Sequence, residues 1–487
     1  MPGAVNIDYD FMNYAQHGAS KTKNAFKLSF DRLKTADEDI GLTKDTLTAR
    51  SRELFMGNTI STSAIKKFKT SVVGKGLKMK STLNTDILKI SEEEAMRIEK
   101  AIEFVWEMWA ESKECDFYRE SNFYQLQALA FLTMLIDGDC FTLLPFKKYK
   151  GDLFELKVQL IDSIRCKNPY SNFDKDIKNG IEKDKNGVAV ACYFYVDEYD
   201  SKSIRVPIFG EKTGRRNILI LKGRERIGQR RGVPLLAPVI ESLFHLTQYS
   251  LAELTNAVIS ALFTAFIETS PTSDLSTPPG ESSYENVEEE QEEDGDLNIT
   301  LGNGNIQELP KGKTVKFADP SRPNANFDAF FSAMTKHIAA ALELPVEVLL
   351  NSFNSNYSAS KAAMNEAWAV FESKKADFIS DFCQPIFEEF MDEIVYEGYL
   401  DLKGYKENPF IRRAYLKAEW YGTSQGQLDP VKEVTASILK IKHNLSTKAK
   451  ECLELNGTDY ESNAKQRKAE KEMEEKYGIF ESDQKRK

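Results

Sequence analysis

Cysteine is scarce. The six residues (Cys115, Cys140, Cys166, Cys192, Cys383 and Cys452) are spread singly through 487 positions with no Cys-x-x-Cys pair. This argues against a disulfide framework or a structural zinc site, and for a reducing compartment. The four histidines (His17, His245, His337 and His443) stand far apart and none lies in a His-Glu-x-x-His, so they read as ordinary surface or core side chains. There is no Gly-x-Ser-x-Gly and hence no hydrolase elbow. Long apolar runs are missing too. Residues 128–146 and 257–267 are short or broken by Asp137, Asp139 and Thr264, whereas a membrane span needs about 20 clean residues. The first residues lack the basic start and apolar core of a signal peptide. A formal net charge of -10 argues against a polycation that grips DNA over its whole surface, and leaves local contacts open. The chain reads as soluble, or as part of a soluble particle.

Ordinary globular composition remains: 41% hydrophobic and 29% charged residues, enough for roughly two to four core-forming units. From Asp45 to Val73, apolar residues spaced by three and four after Ile60 predict a helix closed by Gly74. Glu92–Glu111 reads as a second helix. Ser121–Ile136, apolar on nearly every side, reads as a buried third ending at Asp137-Gly138. The period then changes. FTLLPF, LKVQLIDSI, VAVACYFYV, VPIF and NILILK are strand signals, so residues 140–222 form a β-rich unit. Helix resumes at Pro234 and runs to Ile267. Residues 270–296 are rich in Pro, Ser, Gly and Glu and read as an unpacked solvated insertion, most acidic over 278–296. Strand-like LNITL and TVKFA follow, then a helix over Phe327–Leu344 broken by Pro345.

Next comes a polar, uncharged stretch, FNSNYSAS, and a long helical pattern from Ser358 to Tyr396. Its stripe is Met364, Ala367, Trp368, Phe371, Phe378, Phe382, Ile386, Phe390 and Ile394. Pro385 lies inside that pattern and is expected to kink the helix, because it lacks an N–H and clashes with the preceding turn. Asp429-Pro430 reads as the cap and first turn of a later helix. The tail NAKQRKAEKEMEEKYG reads as a solvated charged helix.

No stretch declares catalysis. GNGNIQELPKGKT (302–314) has Gln307 where a phosphate loop needs glycine, and Pro310 precedes its Gly-Lys-Thr, so a β-turn is the plainer reading. Asp137 and Asp139 in IDGDC are spaced like a carboxylate pair for a metal, but read better as a turn after a buried helix. In GRERIGQRRG, residues Arg224, Arg226, Arg230 and Arg231 could contact phosphate or another subunit, with a solvated loop as the plainer alternative.

Four segments, in order, resemble the lambda-type bacteriophage portal proteins. They are LTARSRELFMGNTISTSAIKKFKTSVVGKGL, the block from GQRRGVPLLAPVIESLF to ISALFTAFI, PVEVLLNSFNSNYSASKAAMNEAW, and EWYGTSQGQLDPVKE. The resemblance implies an α+β, mainly helical portal-type fold. It would comprise an N-terminal extension (1–44), a wing (45–244), stem helices (245–269 and 326–343) and a clip carrying the acidic insertion (270–325). A tunnel loop (344–358), a kinked channel helix (359–397) and a helical crown with the C-terminal region (398–487) would follow. It implies a non-enzymatic, cofactor-free head–tail connector at one capsid vertex: a homo-oligomeric ring, usually of twelve subunits, through which double-stranded DNA is packaged and ejected. The implied partners are a terminase motor, capsid and scaffold proteins and a head–tail adaptor, with no membrane. Assembly would take place in the bacterial host cytoplasm. Asn351, Ser352, Asn354, Ser355, Asn356, Tyr357 and Ser358 would face the DNA, with Lys361 as the nearest cation. The opposing possibility is a nucleotide-binding or nuclease component of the packaging machinery using the Gly-Lys-Thr or IDGDC segment, or else a minor capsid or adaptor protein.

Overall fold

The computed structural model describes residues 33–170, 176–196, 202–262, 266–269, 313–316, 327–353, 357–422, 430–458 and 460–477. The chain is mainly helical with smaller sheets, and it divides into two compact units. One is Phe244–Thr335; the other joins the chain up to Leu243 with the chain from Lys336 onward.

The larger unit opens with α1 (Ala36–Gly41), α2 (Lys44–Gly57) and α3 (Thr59–Val72). The single helix expected over 45–73 is thus two. Gly57 favours neither helix nor strand, and Asn58 leaves the helical region (φ -113°, ψ 123°). Its carboxamide accepts from the Ser61 N–H at 2.9 Å, capping the second helix. β1 (Lys78–Ser81), α4 (Thr85–Leu88), α5 (Glu92–Glu111) and α6 (Phe123–Asp137) follow. α6 is closed by Gly138 in the left-handed conformation (φ 90°).

The β-rich unit holds β2 (Asp139–Leu143), β3 (Gln159–Ile161), β4 (Ile177–Lys178), β5 (Ile181–Lys183), β6 (Ala189–Tyr195), β7 (Ser203–Pro207) and β8 (Ile218–Lys222). These build a three-stranded sheet ordered β3-β2-β8 and a four-stranded sheet ordered β4-β5-β6-β7. Every pairing is antiparallel. Phe141, Ile161, Cys166, Ile181, Cys192, Phe194 and Ile218 form the core between them.

α7 (Ile240–Leu262) ends before the expected Ile267. Phe266–Thr269 is instead strand β9, paired with β10 (Lys313–Lys316), with Val315 opposite Ile267. The β-branched and aromatic side chains of FIE suit a ladder once a partner strand is at hand, and that partner lies too far along the chain for local periodicity to signal it. α8 (Phe327–Ala341) follows. In the smaller unit Tyr249 stacks on Phe327 (5.6 Å between ring centroids) and tilts against Phe330 (4.6 Å). The acidic insertion at 278–296 and the start of the Gly-Lys-Thr segment lie outside the described residues.

The rest is α9 (Val346–Leu350), α10 (Tyr357–Phe378), a π-helical segment Ile379–Cys383, α11 (Gln384–Tyr396), α12 (Pro409–Tyr415), β11 (Ala418–Tyr421), α13 (Pro430–Lys442), α14 (Lys448–Asn456) and α15 (Tyr460–Tyr477). β11 returns to pair antiparallel with β1. The apolar stripe read along 364–394 is the buried face: Ala367, Phe371, Phe378, Phe382, Ile386, Phe390 and Ile394 are each at most 1% exposed. From Phe378 its members recur every fourth residue, which in a straight α-helix drifts about 40° per step. The wider π turn falls inside this run. Trp106 of α5 meets Phe387 and Phe390 edge-on at 5.4 and 5.3 Å, and Phe131 of α6 meets Phe378 at 5.3 Å. Such pairs contribute about 0.5–1.5 kcal/mol each beyond their buried area.

α6 can turn directly into β2 because Gly138 sits against the chain at 232–234. A Cβ there would lie 2.5 Å from the Val233 carbonyl carbon and 2.6 Å from Pro234 N. Gly138→Ala is therefore expected to destabilise the larger unit by about 2 kcal/mol or more, from left-handed strain and a backbone clash combined. A clear fall in the thermal unfolding midpoint checks this.

Candidate functional site

Pro345 starts α9 as its N-cap, and Asn351 ends it in the left-handed conformation (φ 53°). Asparagine tolerates that geometry at a helix end. The Ser352 N–H closes the turn on the Glu347 carbonyl at 3.0 Å. α9 is fastened to α3 at two points: Ser63 Oγ donates to the Leu349 carbonyl at 3.0 Å, and Lys67 Nζ donates to Asn351 Oδ1 at 2.7 Å. Val348 and Leu349 are buried beneath. Asn351, Ser352 and Phe353 are exposed. Asn354, Ser355 and Asn356 lie outside the described residues, as does the side chain of Tyr357, which opens α10. Ser358 is exposed on the first turn. Lys361, one turn on, is half-buried and pairs with Glu433 of α13 at 3.2 Å. A polar segment thus leaves a fixed anchor and returns to a long helix whose first cation is already engaged.

Past its middle that helix winds as π over Ile379–Cys383, and Pro385 follows in the first turn of α11. A proline there cannot donate to an upstream carbonyl. Two acids one turn apart on α11 bind main chain. Glu393 accepts from the N–H groups of Glu155 (2.6 Å) and Leu156 (2.9 Å), and Glu389 from the Arg216 N–H (3.0 Å) and Arg215 Nε (2.9 Å). Burial pushes both carboxyls above the usual glutamate range despite these donors.

Behind α2 and α6 lies a cluster of buried charge. Asp139 is fully buried and accepts both arms of Arg231 (2.7 and 3.1 Å) and the Gly232 N–H (3.0 Å), with Lys44 Nζ at 3.5 Å. The remaining Arg231 donors reach the carbonyls of Ser163, Cys166 and Asn179. Lys44 also donates to the Asp137 and Gly232 carbonyls. Asp137 takes Arg52 Nε at 2.7 Å and Ser163 Oγ at 2.8 Å. Burial pushes Asp139 up, but Arg231 and Lys44 outweigh it and hold the carboxyl below the ordinary aspartate range. Burial holds the Lys44 ammonium below the usual lysine range, against the pull of Asp139.

The four arginines singled out in the sequence therefore separate. Arg231 and Arg230 are inside, the latter on Asp37 (3.0 Å) and the carbonyls of Asp176 and Ile181. Arg224, 61% exposed, pairs with Asp381 at 2.9 Å, and Arg226 pairs with Asp39 and donates to the Lys34 carbonyl. The aspartates of IDGDC are neutralised by the chain's own cations, and Lys313 and Thr314 of the Gly-Lys-Thr lie on a strand rather than at the start of a helix. Among the described residues, no group of three His, Cys, Asp or Glu side chains could hold a metal, and no helix is long and apolar enough to cross a membrane.

Local sequence reading missed Lys44, Arg52, Lys67 and Glu433, whose partners lie 72 to 284 residues away. The one local signal was acids at 389 and 393 recurring within an apolar helix.

Asp139→Asn leaves Arg231 and Lys44 buried without their counter-charge and is expected to cost about 3–5 kcal/mol in urea unfolding. A carboxyl whose folded value is depressed adds stability above its unfolded value of about 3.9, lost as pH falls through that value toward the folded one. The wild type should lose this increment on acidification, and the variant should lack it.

A family model described as phage portal protein, lambda family, matches residues 27–375. Portal protein B of Escherichia phage lambda is 24% identical over 438 residues, covering 85% of this chain and 81% of that protein. The portal protein of Escherichia phage N15 is 22% identical over 435 residues, with the same coverage. Among solved structures, a chain from the neck of an empty gene transfer agent particle, computed with C6 symmetry, is 13% identical at a TM-score of 0.46, covering 84% of this chain and 92% of that one. A chain from the native particle's neck, computed with C12 symmetry, gives 12% and 0.44 with the same coverage.

Proposed function

This chain belongs to the lambda family of phage portal proteins, which form the channel at one capsid vertex, and on that premise we propose how its parts divide the work. About twelve copies close a ring by repeating one head-to-tail contact. Residues 45–244 form the wing, 245–269 and 326–343 the stem, 270–325 the clip, 344–358 the tunnel loop, 359–397 the channel helix and 398–487 the crown and C-terminal region. The terminase motor, capsid and scaffold proteins and a head–tail adaptor dock on the ring, which assembles in the host cytoplasm and passes double-stranded DNA without catalysing a reaction. The observation that carries this reading is the family match over residues 27–375.

Asn351, Ser352, Asn354, Ser355, Asn356, Tyr357 and Ser358 face the DNA. Physical chemistry supports an uncharged lining. Each cation that pairs with phosphate releases counterions and binds in a steeply salt-dependent way, so a ring of cations would hold a polyanion that must slide. Amides and hydroxyls hydrate and bond phosphate weakly. The pairing of Lys361 with Glu433 fits this economy of free positive charge at the far end of the loop, whereas Lys67, held by the neutral Asn351 amide, keeps its charge at the near end. Arg224 and Arg226 are the arginines of the 224–231 loop left at the surface for a neighbouring subunit or phosphate.

Electron microscopy and native mass spectrometry of the purified chain should show rings near twelve copies, and a single-chain species at every salt and concentration would refute the ring. In a packaging assay, particles carrying Asn354→Lys with Asn356→Lys should stall or fill slowly at low salt and recover as salt rises. Normal filling of intact variant particles at low salt would remove the loop from the DNA path.

A further inference from the structure

α13 is amphipathic the wrong way round for a lone chain. Its polar side faces its own molecule: Glu433 pairs with Lys361, Lys440 with Glu451 at 3.4 Å, and Ser437 is buried against Glu451. These side chains line a cavity of ≈ 600 Å³ shared with Trp368 and Lys375 of α10. The apolar side points to solvent. Val431 is 75%, Val434 43% and Ile438 58% exposed, with Ile441 half-buried. The spacing of three, four and three places all four on one face, the pattern of a helix seam that expects a partner.

α15 has the complementary deficit. Every residue of this helix whose side chain is described is exposed, whereas most helices in proteins draw their stability from packing an apolar face. Ala469, Met473 and Tyr477 share a narrow apolar face, bordered along one edge by Glu470 and Glu474. The charges match as well. Lys442 lies beside the apolar face of α13, and Glu470 and Glu474 border that of α15, although α15 as a whole balances five acids with five bases. Within one chain the two surfaces do not cover each other, since both are exposed.

We propose that α15 of one copy seats its Ala469–Met473–Tyr477 face on the Val431–Val434–Ile438–Ile441 face of α13 in the next copy, with Glu470 and Glu474 beside Lys442. Two different surfaces meet, so the contact is head-to-tail and propagates around a closed ring. It rests on the ring reading and adds to it the residues of one subunit–subunit seam.

Full-length chains in a Cys452→Ser background, one carrying Ile438→Cys and the other Met473→Cys, are mixed, assembled and treated with a bismaleimide. Covalent chain pairs on a denaturing gel are expected from the mixture, but not from either chain alone nor when exposed Val188→Cys replaces Met473→Cys. Separately, Ile438→Glu, on a face open to solvent in the single chain, should raise the concentration at which assemblies half-dissociate by about tenfold or more. Assemblies that form normally, give no cross-link and are unchanged by Ile438→Glu would overturn the seam and leave the ring standing. A chain that never assembles and never cross-links would overturn both.

Discussion

Asp139 must find its counter-charges inside the protein, and that requirement organises the larger unit. It is fully buried, and the groups that neutralise it come from the loop after β8 (Arg231, Gly232) and the start of α2 (Lys44). Its neighbour Asp137 draws in Arg52 of α2 and Ser163 after β3. The helices and sheets that meet at this corner are thus held in one relative placement, because any slip would strand a charge in low dielectric. Gly138 between the aspartates lets the backbone close up to Gly232, where a Cβ would lie 1.8 Å from the Gly138 carbonyl oxygen. Charge and close backbone approach select the same geometry.

What could be read from the sequence follows from what is local. The limits of α5, the core stripe of α10 and α11, and the strands around FTL, ACYFY and ILILK are set by periods of 3.6 and 2, which a short window contains. Pro430 opening α13 and Gly138 closing α6 are cap chemistry, equally local. The break at Asn58 is marked only by Gly57-Asn58 and by the six-residue step from Leu54 to Ile60, slight signals beside the regular spacing that follows. The start of β9 reads as helix because Phe266 and Ile267 suit either state and its partner β10 is more than forty residues on. β11 has no local signature, since four residues that pair with β1 leave too short a pattern.

The loop was legible as composition and not as geometry. Asparagine and serine between α9 and α10 announce a polar, uncharged segment, but nothing local says that Lys67 meets Asn351 or that Lys361 meets Glu433. The Glu433 contact neutralises a cation near the loop, and the Asn351 contact fixes the position of another. GRERIGQRRG misleads in the opposite way. As a string it reads as basic surface, whereas Arg230 and Arg231 are structural ties whose donors are spent on carbonyls and aspartates of the same chain. Burial separates the two kinds of arginine, and burial is a property of the folded chain.

The carboxylates of Glu389 and Glu393 grip main-chain N–H groups at Glu155, Leu156 and Arg216. A peptide N–H is common to nineteen of the twenty amino acids. The grip itself therefore asks nothing of the side chains at those three positions except that none be proline, and any constraint on them comes from elsewhere, as for Leu156 in the core, while the two glutamates that do the gripping are fixed by it. Diverged copies of this protein should keep the acids on α11 long after the segments they hold have become unrecognisable.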